Sequence, residues 1–387
     1  MPSPFSSGEL KEIRELFPHT RNGAIYMNHA AISPLPLPVK EAIEKCIGER
    51  HSGAVENFDE VQRIISQTRN SLGAYINSEP GQITFFGNTS DAISAVANGL
   101  DWKAGDEIIL NDMEFPANIH PFRRLESKGV KLRIVPHQNY TITAEHLRVQ
   151  ITPKTKLVSI SAVQFLSGYR ADLEAIGTLC RENRLLFVVD GIQALGASPV
   201  DVQACHIDAL ASGAHKWLMA PMGIGFLYLS EKLQKKLTPV KTGWLSVEEP
   251  WSFSDHNQPW LPVSPHLETG TPNFIGIAGL GSSLQLFNAV GLDRIESHIS
   301  HLTDYILDRL NQQEANLTCI TQKSQKYRLG IVSFSTVRNV DTDEAIKKLK
   351  VKNYTISARE GYFRLSPHFY NAEQEIDDIL DHLFTIV

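Results

Sequence analysis

Seven short apolar runs punctuate the first 230 residues of this chain, at 82–86, 107–110, 132–135, 156–161, 185–189, 209–211 and 225–229. Each is nearly continuous in apolar character and rich in β-branched or aromatic residues, the pattern of strands buried on both faces. Between them lie longer segments, such as 90–100 and 172–183, where apolar residues recur at helical spacing. Strands alternating with helices predict an α/β fold with a largely parallel sheet covered on both sides. From 239 to 272 the rhythm stops. That stretch carries Trp244, Trp251 and Trp260 among prolines and reads as a long ordered excursion. Beyond it, 275–288 and 295–313 have helical periodicity. A strand-like run at 330–335, a helix at 341–350, strands at 354–357 and 362–365, and a last helix opening at Asn371 complete the chain. We therefore expect a large domain over residues 21–274 and a smaller α+β domain over 275–387, with an N-terminal segment, 1–20, packed on the smaller one. Internal repeats and low-complexity tracts are absent.

Composition narrows the function classes. With 387 residues, 42% hydrophobic and 21% charged, the chain has ample material for a core. Its formal net charge of -6 argues against a nucleic-acid footprint or a polybasic membrane patch. No apolar run approaches the roughly 20 residues of a membrane span. The opening residues lack the basic and apolar regions of a signal peptide. The four cysteines (Cys46, Cys180, Cys205, Cys319) are scattered and read as free thiols of a cytoplasmic protein. The 14 histidines show no metal-ligand spacing, and His298 and His301, three apart, read as one solvated helix face. No G-x-G-x-x-G follows an early strand, which leaves a dinucleotide site unsupported.

The chemistry concentrates around Lys216. It lies in Ser212-Gly-Ala-His-Lys-Trp-Leu218, between two strand-like runs, where a buried amine can lose its proton and form a Schiff base. Asp190 ends the run 185–189, so its carboxylate belongs to the carboxyl edge of the sheet; capping of the next turn is the plainer role for it. Gln193, three residues on, either reaches the same site or sits on the surface. Gly87-Asn-Thr-Ser-Asp-Ala92 leaves a strand and enters a helix, whose free N–H groups, with the Thr89 and Ser90 hydroxyls, can hold an anion. Ordinary N-capping by Asn88 or Thr89 uses the same residues. Phe115 offers an aromatic cover or a core contact. Arg359 and Arg364 offer a guanidinium fork for a carboxylate, or surface ion pairs.

Taken in order, these segments resemble the class V aminotransferase family of fold-type I pyridoxal-phosphate (PLP) enzymes, which includes the cysteine desulfurases. The resemblance runs from Tyr26-Met-Asn-His-Ala-Ala31 through Gly87-Asn-Thr-Ser-Asp-Ala92, Glu114-Phe-Pro-Ala-Asn118, Val189-Asp-Gly-Ile-Gln193, His215-Lys216 and Gly270-Thr-Pro-Asn273 to Phe363-Arg-Leu-Ser-Pro-His-Phe-Tyr-Asn371. It implies that Lys216 binds the cofactor covalently and moves protons at the substrate Cα. It implies that Asp190 pairs with the ring nitrogen and Gln193 with the ring oxygen, and that Phe115 covers the ring. Thr89, Ser90 and His215 would hold the phosphate, and Thr271 would reach a neighbouring copy's phosphate across a homodimer interface. Arg364 is the choice for the substrate carboxylate, with Asn28 near the mouth.

The chain also departs from the desulfurases. Phe115 stands where they have a ring-stacking histidine, and Phe165 where they have an asparagine. Only Glu360-Gly-Tyr-Phe363 separates Arg359 from Arg364, with no cysteine to accept sulfur. The segments Glu114-Phe-Pro116, Thr242-Gly-Trp-Leu245 and Arg359-Glu-Gly-Tyr-Phe-Arg364 are similar to the branch with isopenicillin-epimerase-like and C–S-lyase-like members. The expected activity is therefore that of a PLP enzyme on an α-amino acid. Transamination ranks first by family frequency, cystine or cysteine C–S cleavage second and epimerisation third. A non-catalytic binding protein would not need the intact lysine, aspartate and phosphate loop.

Overall fold

The computed structural model describes residues 3–313, 316–337 and 340–386. After a two-residue strand, β1 (Ile25–Tyr26), seven strands build the central sheet: β2 (Ile83–Phe86), β3 (Glu107–Asn111), β4 (Lys131–Val135), β5 (Thr155–Ser161), β6 (Leu186–Asp190), β7 (Ala209–Gly213) and β8 (Gly225–Leu229). They lie in the order β2-β8-β7-β6-β5-β3-β4. Neighbours from β7 across to β4 pair in parallel, whereas β8 pairs antiparallel with both β7 and β2. One reversed strand thus sits in an otherwise co-directional sheet. Alternate residues serve opposite faces. Ile109, Val158, Ile160, Phe187, Val189 and Leu210 enter one apolar cluster, while Ile108, Leu110, Leu157, Leu186 and Val188 enter the other. This two-sided burial explains why the runs are apolar throughout, and the sheet is the fold-type I arrangement that the alternation pointed to.

Topology places the chemistry. In a parallel sheet the loops that follow the strands gather at their carboxyl edge. The turn from β7 into the reversed β8 returns along that same edge and needs no crossover helix. Lys216 is therefore kept beside the ends of β2, β3, β5 and β6.

Five more strands follow: β9 (Leu317–Cys319), β10 (Val332–Thr336), β11 (Tyr354–Thr355), β12 (Ser357–Arg359) and β13 (Tyr362–Leu365). The expected strand at 354–357 divides at the buried Ile356: β11 pairs in parallel with β1, and β12 joins a four-stranded antiparallel sheet ordered β12-β13-β10-β9. Helices Leu292–Asn311 and Glu373–Ile386 cover this sheet through Leu302, Ile306, Ile376 and Leu380. Helix Phe274–Val290 packs elsewhere. It lies against Leu37–Ser52 and Phe58–Ile76, two helices for which we had no sequence expectation, and its apolar residues belong to the large-sheet core. Gly281 permits that approach, since a Cβ there would lie 2.4 Å from Thr68 Oγ1. The N-terminal segment contacts C-terminal residues: Arg14 bonds Tyr370 O and Glu375, and Phe17 stacks on Tyr370 at 3.8 Å.

One expectation needs correction. His298 is not on a solvated face. It is 1% exposed, with Ser3 Oγ on Nδ1 at 2.9 Å and the carbonyl of Asn371 on Nε2 at 2.9 Å, and burial lowers its pKa to about 4. Only His301 lies toward the outside, paired with Glu373. The three-residue spacing put both on one helix flank, and Ser3, Phe5 and Asn371, from the two ends of the chain, then covered half of it. Among the described residues, no single helix is long and apolar enough to cross a membrane.

Candidate active site

A cavity of about 320 Å³ opens at the carboxyl edge of the central sheet. It is lined by Ala30, Thr89, Phe115, Asp190, Gln193 and Lys216, with Ser90, Phe165, His215, Arg359 and Arg364 completing the wall. Residues from five strand ends and from the C-terminal sheet therefore converge on one space.

Lys216 occupies the turn after β7. Ala214 N–H bonds back to Ile224 O, and Met219, at φ 50°, turns its N–H onto the carbonyl of Lys216. The turn is closed by backbone bonds, which leaves the side chain to the cavity. There Nζ lies 5.5 Å from the Phe115 ring centroid. Burial pulls the Lys216 pKa down to about 8; Asp190 opposes the shift, and Arg364 and Arg359 add to it. Asp190, at the end of β6, is 2% exposed, and one of its oxygens accepts the N–H of Ile192 at 3.0 Å. Burial raises its pKa, and the nearby Glu114 raises it further. Both groups are thus pushed toward their neutral forms, the environment in which proton transfer is inexpensive.

Thr89 opens helix Thr89–Gly99, and its Oγ1 accepts the N–H of Gly213 at 2.8 Å, which ties the helix start to the end of β7. Its own hydroxyl hydrogen is left to donate into the cavity. Asn88, not Thr89, is the side-chain cap, accepting from Asp91 N–H at 2.9 Å. Ser90 is exposed at the rim. His215 is half-buried beside them, and burial, then Lys216, lowers its pKa. Gln193 is fully engaged from behind: Oε1 accepts the Trp217 indole N–H at 2.8 Å, and Nε2 donates to Ala30 O at 3.0 Å.

The far wall is aromatic. Phe115 and Phe165 meet edge to face at 5.3 Å. What holds them is Glu114, a residue we had read only as part of a motif. Its buried carboxylate accepts from Asn111 Nδ2, Ser161 N–H and Gln164 Nε2 on one oxygen, and from Asn118 Nδ2 and the Ser161 hydroxyl on the other. Five donors on an acceptor-only group lock the loop after β3 to the loop after β5. A charged residue directly before Phe-Pro, just past the end of a buried strand, was the available signal. Glu114→Gln would set an amide N–H against at least one of these donors. We expect a loss of about 2–4 kcal/mol and a fall in Tm of about 5–10 °C, measurable by calorimetry. An unchanged Tm would remove Glu114 from this role.

Arg364, in β13, is 2% exposed. Its Nε donates to Ser357 Oγ at 3.2 Å and its Nη1 to Phe165 O at 2.6 Å. Burial, then Arg359, lowers its pKa to about 9. Arg359, at the exposed end of β12, bonds only the carbonyl of Ala358. Among the described residues neither guanidinium has a carboxylate partner, which sets aside the surface-ion-pair alternative. Asn28 and Thr271 lie outside the cavity wall. Asn28 bridges to Ser366, and its Oδ1 is buried without a hydrogen-bond partner. Thr271 is exposed ahead of helix Phe274–Val290, away from the cavity of its own chain. The four cysteines also lie outside the wall.

Several known proteins are similar to this chain over nearly their full length. The chain is 28% identical over 388 residues to a probable cysteine desulfurase of Methanothermobacter thermautotrophicus, covering 95% of each sequence. It is 27% identical to an uncharacterized aminotransferase, YcbU, of Bacillus subtilis, covering 96% of this chain and 97% of the relative. Among solved structures, C-DES with glycine covalently linked to its PLP cofactor superposes with a TM-score of 0.90 at 26% identity, covering 97% and 99% of the two chains. A complex of the cystine C–S lyase C-DES with its product cysteine persulfide superposes at 0.88 with 27% identity, covering 95% and 98%. The aminotransferase class-V profile matches residues 25–378, and with that span the chain belongs to the class-V aminotransferase family.

Proposed function

We propose that this chain is a PLP-dependent aminotransferase whose substrate is an α-amino acid bearing a second carboxylate. The cofactor fits the residues present. Asp190 keeps one buried oxygen clear of the Ile192 bond for a ring nitrogen. The Thr89 hydroxyl and the first N–H groups of its helix suit a phosphate. Lys216 points its amine into the space between them. When bound, PLP supplies an electron sink that makes the Cα hydrogen of an attached amino acid acidic.

The chain's own groups do the rest. Lys216, its proton affinity lowered mostly by burial, would take the substrate's Cα proton and hand it on to the cofactor carbon that carries the nitrogen. Asp190, as a carboxylate with one oxygen clear of the Ile192 bond, would pair with the ring nitrogen and keep it protonated. Phe115 and Phe165 give that side an apolar wall. His215 and Ser90 complete the phosphate end, and Asn28 lies behind the mouth. A homodimer, with Thr271 turned to the neighbour's phosphate, belongs to the same reading, supported by the exposure of Thr271 and of the adjoining Trp244–Trp251 pair.

The two unpaired guanidiniums carry the substrate assignment. A buried cation without a counter-ion is costly, by several kcal/mol, so the wall that retains the buried Arg364 awaits an anion, and the exposed Arg359 adds a second positive charge at the rim. Arg364, deep in the wall, suits the α-carboxylate common to all substrates; Arg359, at the rim, suits a second one. A second reading is C–S cleavage of cystine. It is favoured by the likeness to the cystine C–S lyase C-DES and by a wall without a cysteine.

Aspartate, glutamate, cystine and alanine, offered to PLP-loaded protein, separate these outcomes. Transamination forms the keto acid of the substrate and stops without an acceptor. Cleavage of cystine forms pyruvate, ammonia and persulfide continuously. Arg364→Ala should lower kcat/KM by about 10²–10³-fold for every substrate. Arg359→Ala should lower it about 10–100-fold for the dicarboxylic ones alone. Equal losses on alanine and aspartate in Arg359→Ala would overturn the second-carboxylate assignment.

A further inference from the structure

Trp217 follows Lys216 in sequence, yet its side chain points away from the cavity and is fully buried. Its indole N–H meets Gln193 Oε1 at 2.8 Å, and on the other side of that amide Gln193 Nε2 donates to the carbonyl of Ala30 at 3.0 Å. An indole N–H can only donate and a carbonyl can only accept. The two partners therefore fix the amide from opposite ends, and a flipped amide would lose both bonds at once. One hydrogen on Nε2 remains. Gln193 lines the cavity, and that hydrogen is free to be turned toward it.

The indole itself cannot turn aside. Gly330, at φ +61°, presses on the ring so closely that a Cβ would lie 2.5 Å from Trp217 Cη2. His368 Nε2 bonds the carbonyl of Trp217 at 2.9 Å, and its ring lies 5.4 Å from the indole. Both of these residues come from the C-terminal part of the chain. They hold the tryptophan that holds the glutamine.

We propose that Trp217 is a positioning residue, which fixes Gln193 so that an N–H rather than a carbonyl faces the bound cofactor's anionic ring oxygen. This rests on the PLP reading above. A donor beside that oxygen stabilises it when the neighbouring lysine–cofactor bond loses its proton, so the donor lowers the pH at which the bond titrates. Without the indole, Gln193 Oε1 is left buried and unpaired, and rotation of the amide toward another partner removes the donor.

The test uses full-length protein loaded with PLP and two readouts other than activity: the pH midpoint of the bound cofactor's visible absorbance, and the PLP dissociation constant. Trp217→Phe should raise the midpoint by about one unit and weaken PLP binding about 10- to 100-fold. Gln193→Met, which has neither donor nor acceptor at similar volume, should give the same shifts. The double variant should add nothing to either. A benzothiophene analogue of tryptophan at 217, which replaces N–H by sulfur at constant shape, repeats the test should Trp217→Phe not fold. Shifts that add in the double variant, or a midpoint unmoved in the Trp217 variants, would overturn the proposal. Colourless wild-type protein after loading would instead sink the cofactor reading beneath it.

Discussion

Lys216→Ala should abolish turnover on every amino acid, lowering it by at least about 10⁴-fold, because one amine both captures the cofactor and moves the Cα proton. Retention of PLP through gel filtration should be lost with it. The fold should survive, since the turn is closed by the backbone bonds of Ala214 and Met219 rather than by the amine. Exchange of the substrate's Cα hydrogen in D₂O isolates the proton step from later ones; any exchange above background in the variant would move the base elsewhere. The shifted amine also has a thermodynamic consequence. Its folded pKa is lowered, chiefly by burial, from 10.5 to about 8, so between those values the unfolded chain binds the proton and the folded chain does not. Stability then rises with pH across that window, and below it the full penalty of the buried charge is present. Cofactor-free wild type should therefore gain in Tm relative to Lys216→Ala from pH 8 to pH 10. A gap independent of pH would mean that the amine is not desolvated.

Asp190→Asn is the second large effect, expected at about 10³-fold in kcat/KM. The amide can keep the bond from Ile192 N–H, so folding is preserved, but it cannot hold a proton for a ring nitrogen. PLP should still bind, and Cα exchange should slow by the same factor as turnover. Equal slowing of both assigns the loss to the proton step. Undiminished exchange would assign Asp190 to turn capping, the plainer role that an aspartate at a strand end admits. The raised pKa of Asp190 has two sources, burial first and Glu114 second. Glu114→Gln thus carries a test of the carboxylate's environment as well as of stability.

Reading the sequence worked best where one residue type has few alternatives. A lysine between two buried strands, an aspartate ending a third and a glycine-led helix start are each local, and the strand runs were apolar on both faces because both faces are covered. The helices Leu37–Ser52 and Phe58–Ile76 were less legible, since their burial depends on packing against Phe274–Val290, far along the chain. His298 was misread for the same reason: its cover comes from the carbonyl of Asn371 and from Ser3, neither of which is near it in the chain. The departures at Phe115 and Phe165 were visible as residues, but nothing local says that their rings meet edge to face, or that Glu114 draws their loops together.

By itself the sequence determined the class of fold and the chemistry on offer: a co-directional sheet, an amine and a carboxylate at its edge, and a helix start suited to a phosphate. Those properties follow from periodicity and from side-chain type, which are carried by neighbouring residues. Tertiary structure alone decided which groups face one another. Among the described residues it left Arg359 and Arg364 without a counter-ion beside Lys216, turned Thr271 out of its own chain's cavity, and set Trp217 behind Gln193. The reason is physical. Whether a charge is paired, and which end of an amide faces inward, depends on atoms brought together only when distant segments pack.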